Sequence, residues 1–103
     1  MSVQIIENWS NVMGVVVSCN PSSDVGGFMA IEVVLEKIDP VEGYANLLEH
    51  KQGKTLVILV PEELVKQLDI TPGIVIVCRV RRADLDRVFV HRNYISVLAR
   101  DEK

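Results

Sequence analysis

The chain has 103 residues, 49% of them hydrophobic and 24% charged, with a formal net charge of −3. That length and apolar content suit one domain over residues 1–103, able to bury a core without metal or disulfide support, and exclude a chain that is mainly disordered. The acidic balance excludes the uniformly basic body of a dedicated nucleic-acid binder, and no apolar run approaches the roughly 20 residues of a membrane helix.

The start, MSVQIIENWS, lacks the basic flank and long apolar run of a secretory leader, so a cytoplasmic protein without membrane contact is expected. In a reducing compartment Cys19 and Cys78 read as small hydrophobes rather than halves of a disulfide. Met1 to Asn8 is a lead-in whose Val3, Ile5 and Ile6 suit a short edge pairing. Trp9 to Cys19 reads as the first strand, with Gly14 marking a bulge or bend and Val15 and Val17 facing inward. Asn20 to Gly27 is a loop cluster. From Phe28 to Ile38 alternation is clear, with Met29, Ile31, Val33 and Leu35 on one face and Phe28, Ala30, Glu32, Val34 and Glu36 on the other. Asp39 to Gln52 is a longer connection, in which Tyr44 to His50 reads equally as one helical turn or a short strand extension.

Lys54 to Val60, bounded by Gly53 and Pro61, has the composition of a strand buried on much of both faces. Pro61 suits the first turn of a helix, Glu62 and Glu63 complement its dipole, and Leu64, Val65 and Leu68 form its apolar stripe. Thr71-Pro72-Gly73 ends that segment, and Ile74 to Arg82 follows as a strand. Its Ile74, Ile76, Cys78 and Val80 share one face; Val75, Val77, Arg79 and Arg81 share the other, which turns basic halfway. Ala83 to Arg87 forms a tight charged loop, Val88 to Leu98 a last strand with Val88 and Val90 opposed to Phe89 and His91, and Ala99 to Lys103 a polar tail. The predicted core is Val15, Val17, Met29, Ile31, Val33, Leu56, Ile58, Val60, Leu64, Leu68, Ile74, Ile76, Cys78 and Val80.

Three strands, a short helix and two strands, with Gly14 in the first strand, Gly53-Lys54-Thr55 opening the third and Leu68-Asp69-Ile70-Thr71-Pro72-Gly73 before the fourth, form a pattern that resembles the OB-fold from Trp9 to Leu98. The resemblance implies an all-β, five-stranded OB-like Greek-key barrel with one short helix between strands 3 and 4, and a binding groove bordered by the loops joining strands 1–2 and 4–5. Leu68 to Val77 also resembles the small molybdate-binding barrel domain, whose Ser-Ala-Arg-Asn-like oxyanion segment is replaced here by Asn8-Trp9-Ser10-Asn11.

No nucleophile stands in a catalytic setting and no glycine-rich phosphate loop is present, so a non-enzymatic protein without a cofactor is expected. Glu32 and Glu36 share a strand face about 13 Å apart, too far to cooperate as acid and base. Cys19, His50, Cys78 and His91 are zinc-type ligands without the paired spacings that hold structural zinc, and no metal is expected. The sharper feature is arginine. None precedes Ile74, whereas Arg79, Arg81, Arg82, Arg87 and Arg92 then stand against Asp84 and Asp86. With Lys54 as a lesser contributor, these residues are the candidate contacts to single-stranded nucleic acid, since guanidinium groups grip phosphates and stack on bases. The alternative is a protein-interaction or assembly subunit, a homo-oligomer or a complex with a protein partner, through the outward apolar residues Val34, Val57, Leu59, Val75 and Val77. Binding of a small oxyanion is a third, lesser expectation that the molybdate-domain resemblance implies.

Overall fold

Five strands, β1 (Ser10–Pro21), β2 (Phe28–Pro40), β3 (Thr55–Pro61), β4 (Val75–Arg82) and β5 (Val88–Val97), close into a barrel in the order β1-β2-β3-β5-β4. The computed structural model describes residues 7–84 and 87–98; the expected pairing of Val3, Ile5 and Ile6, Asp86 in the β4–β5 loop and the tail from Ala99 lie outside the described residues. The pairings between these strands are antiparallel except that of β3 with β5, which meet in parallel at Leu59 and Phe89. A short helix, α1 (Glu62–Leu68), separates β3 from β4. This is the fold class expected from the sequence, a small barrel compatible with an OB-like domain. No described helix is long and apolar enough to cross a membrane.

Each strand sends alternate side chains inward. Ile31, Val33 and Leu35 of β2, Ile58 and Val60 of β3, Ile76 and Val80 of β4 and Val88 and Val90 of β5 form the enclosed core, with Met29 half-buried against it. The helix is too short to persist alone and is held by its apolar stripe: Val65 is buried, while Leu64 and Leu68 pack against the core from its edge. Pro61 (φ −53°) precedes the first turn and Asp69 ends the last in the left-handed region (φ 54°). The Ile70 N–H then donates to the Val65 carbonyl at 3.0 Å, and Ile70 is buried.

The first strand differs from expectation. Val12 and Val16 face the core with Gly14 between them, whereas Val15 is half-buried and Val17 is 49% exposed. The inward set therefore runs through the glycine. A side chain at Gly14 would collide with the Val34 carbonyl oxygen and a Val33 methyl group, so a missing Cβ lets β1 and β2 approach. Register shifts between Met13 and Gly14 and again between Val16 and Ser18 bend the strand around the barrel, and Val17 falls in the second. In the Asp39 to Gln52 connection both readings have a part: Ala45 forms an isolated bridge with Asn8, and Glu49–Lys51 is a single 3-10 turn. Between them Leu48 is inserted into the core, 1% exposed.

Candidate nucleic-acid interface on the fourth and fifth strands

The outward side chains of β4 are Val75, Val77, Arg79 and Arg81, and closure of the barrel brings different neighbours to the two halves of that row. Val75 pairs with Val15, which pairs in turn with Val34, and Val77 pairs with Met13, so the first half joins an apolar row across β4, β1 and β2. The second half meets aromatic residues. Arg81 pairs with Phe89, and the Phe28 ring packs edge-on against Phe89 with centroids 5.5 Å apart.

Beyond Val90 the fifth strand changes parity. Val80 pairs with Val90 and Cys78 with Ile95, so two residues along β4 are matched by five along β5. The three additional residues are an odd number, and the strand leaves the bulge with Ile95 and Val97 packed against the core and Tyr94 and Ser96 outward. Within the bulge the Asn93 N–H donates to His91 Nδ1 at 3.1 Å. The His91 ring lies between two others: Trp9 at 5.1 Å, tilted by 50°, and Tyr94 at 4.7 Å, nearly perpendicular. The Arg79 guanidinium carbon sits 4.2 Å from the Tyr94 ring centroid, and Arg79 Nε donates to Asn11 Oδ1 at 3.0 Å. Trp9, His91, Tyr94 and Arg79 thus form one chain of ring and guanidinium contacts along the outer face. Beside it, Asn11, Val77, Arg79, Asn93 and Tyr94 line a cavity of about 290 Å³, and a smaller one of about 140 Å³ shares Asn11 and Val77 and extends to Lys37 and Asp39.

The remaining cations expected at the site are distributed around the barrel. Arg81 is exposed and, among the described residues, its side chain makes no hydrogen bond or ion pair. Arg82 is half-buried, and its backbone is fastened to the Asn8 side chain through an N–H to Oδ1 contact of 2.8 Å and an Nδ2 to carbonyl contact of 3.0 Å. Arg87 pairs with Asp84 at 3.2 Å across the β4–β5 loop. Arg92 turns toward α1, where it meets Glu63 at 3.2 Å and lines a separate cavity with Gly27, Phe28 and Lys66. Lys54 is exposed at the start of β3, its carbonyl accepting from the Leu35 N–H. Both arginine–carboxylate pairs are solvent-exposed, the kind that contributes at most about 1 kcal/mol. On β2, Glu32 accepts a hydrogen bond from Ser18 at 2.9 Å.

Of the outward apolar residues, Val34, Val75 and Val77 are half-buried and Val57 is 46% exposed. Leu59 differs from the exposed position expected of it. It shares the outer face with its pairing partners Ala30 and Phe89 and is only 6% exposed, because the close approach of β3 to β5 encloses it within the chain. Cys78 is buried, and desolvation pushes its thiol up to about 12; partial burial raises that of Cys19. Among the described residues no group of three His, Cys, Asp or Glu side chains is placed to hold a metal ion.

Sequence reasoning placed arginines at this face and missed the aromatic half of it. Phe89 and His91 were marked by their alternation with Val88 and Val90, whereas nothing local to Trp9 or Tyr94 announces where they lie. No protein-family model, curated protein or solved structure significantly matches the chain.

Proposed function

We propose that the protein is a non-enzymatic binding module that takes single-stranded nucleic acid along the outer face of β4 and β5. The observation that carries this reading is the run of Trp9, His91, Tyr94 and Arg79 contacts beside the exposed Arg81. Single-strand binding needs two components together, flat π faces for bases and cations for phosphates. This face supplies both, on strands whose inward side chains lock them into the core. Arg81 and the Arg87 loop provide the phosphate contacts; the rings provide the stacking surface.

The test is a titration of fluorescent oligothymidine and mixed-sequence strands at low and moderate salt. Affinity is expected to fall with salt, each phosphate contact contributing roughly −0.7 to the slope of log affinity against log salt. Arg81→Glu is expected to weaken binding of every sequence and flatten that slope, because phosphate contacts carry no sequence information. A wild-type protein that binds no strand at low ionic strength refutes the reading. A second reading, an assembly module, draws support from a different observation: the Val75–Val15–Val34 row lies on the outer surface with Val17 and Val57 exposed. Sedimentation of the wild type at high concentration separates it from the first, since assembly through valines persists at salt concentrations that release a nucleic acid.

A further inference from the structure

Arg79 is held differently from the other arginines. Its Nε is committed to Asn11 Oδ1 and its guanidinium carbon sits over the Tyr94 ring at 4.2 Å, so the group is held at two points before any ligand arrives. Its two terminal nitrogens make no hydrogen bond among the described residues, and the guanidinium borders the 290 Å³ cavity whose walls include Val77, Tyr94 and Ile95. That volume is close to the lower end of small-ligand sites, roughly 300 Å³.

We propose that this cavity is the seat of a single nucleobase, and that Arg79 selects bases carrying two adjacent hydrogen-bond acceptors on one edge. The proposal rests on the single-strand reading above and adds a base preference to it. A guanidinium end presents two parallel N–H donors and no acceptor. Guanine matches it with O6 and N7, the commonest specific partner of arginine, and cytosine matches it with O2 and N3. Adenine sets an amino donor beside N7, and thymine sets its ring N–H between two carbonyls, so each leaves a donor facing a donor. A phosphate also carries paired oxygens, but the apolar walls and the Tyr94 ring favour a flat heterocycle. Because Asn11 and Tyr94 already hold the group at two points, little side-chain freedom is lost when the base arrives.

The experiment compares oligothymidine strands in which one central base is replaced by guanine, cytosine or adenine, with fluorescence anisotropy as the readout. The guanine and cytosine strands are expected to bind roughly 5-fold or more tightly than the adenine strand. Replacing guanine by 7-deazaguanine, which lacks the N7 acceptor, is expected to remove its gain. Arg79→Lys, checked for an unchanged melting temperature, is expected to bind the four strands alike. Strands that bind without base preference, or a preference that survives Arg79→Lys, overturn the seat and leave the single-strand reading standing. Guanosine and adenosine monophosphates titrated separately give the converse. If no strand binds but the guanosine nucleotide is preferred by the wild type and not by Arg79→Lys, the seat stands and the strand reading falls. Equal binding of both nucleotides and of inorganic phosphate overturns the base assignment.

Discussion

Val16 and Val17 are adjacent, identical in chemistry and opposite in environment, which makes them a direct probe of how β1 sits in the barrel. Val16 is 1% exposed and packed in the core; Val17 is 49% exposed at a register shift. Truncation to alanine removes two methyl groups from either residue. At about 0.8 kcal/mol for each buried carbon the transfer term at Val16 is about 1.6 kcal/mol, and the cavity left behind raises the loss to about 2–3 kcal/mol. At Val17, where half of the side chain already meets water, the loss is expected to stay within about 0.5 kcal/mol. In urea, with a slope of about 1.5 kcal/mol per molar, Val16→Ala moves the unfolding midpoint down by more than about 1 M and Val17→Ala by about 0.3 M or less. Equal slopes in both variants are required for the comparison to report stability alone. A Val17→Ala loss equal to or greater than that of Val16→Ala refutes the inward assignment of Val12, Gly14 and Val16, and with it the Val15–Val34 register.

The same unfolding assay tests the close approach at Gly14: Gly14→Ala is expected to cost about 1–3 kcal/mol, because a backbone carbonyl cannot move aside for the added methyl group. Cys78 gives a pH dependence. Its thiol remains protonated in the fold up to about 12, whereas in the unfolded chain it ionises above about 8.5. Between those values the folded state binds more protons, so stability falls as pH rises, by up to about 1.4 kcal/mol per pH unit, and Cys78→Val is expected to remove that part of the slope in urea titrations run from pH 8 to 11. On the assembly reading, Val57→Asp keeps the unfolding free energy within about 0.5 kcal/mol of the wild type and converts a heavier sedimenting species into a single chain; a wild type that sediments as one chain at high concentration removes the reading.

The parts of the fold readable in advance are those where one strong signal settles each element. In β2 the alternation of Ile31, Val33 and Leu35 with Glu32, Val34 and Glu36 leaves a single choice of inward face, and Ile31, Val33 and Leu35 are fully enclosed. Pro61 with Glu62 and Glu63 announces the helix start for a local reason, the missing proline N–H and the helix dipole. In β1 the triplet Val15-Val16-Val17 carries no alternation, so its parity depends on Gly14, a residue with no side chain to declare a side. What decides it is a contact from another strand, the Val33 methyl group and Val34 carbonyl filling the space above the glycine. Leu48 is hidden for a related reason: it enters the core from an irregular connection, where neither a period of 2 nor one of 3.6 applies.

The candidate site divides along the same line. Arg79 and Arg81 are two apart on a regular strand, and their common face follows from that spacing alone. Arg87 and Arg92 do not follow from it: Arg87 precedes β5 and pairs with Asp84, and Arg92 has the parity of the inward Val88 and Val90. The extra residues between Val90 and Ile95 turn Arg92 toward Glu63 and bring Tyr94, which strict alternation from Phe89 and His91 would have sent inward, onto Arg79. The bulge therefore does two things with one irregularity: it frees Arg92 from the inward position that strict alternation after Val88 and Val90 would give it, and it gives the outer face an aromatic ring. Its position is set where Ile95 and Val97 find the core beside Cys78 and Ile76, a tertiary requirement that no window of sequence around Tyr94 contains. A face that looked like a cluster of arginines in one dimension becomes, once the core has fixed the register, two arginines on the outer edge of β4 against a row of rings on β5, and it is that mixture, more than the charge, that suits a base as well as a phosphate.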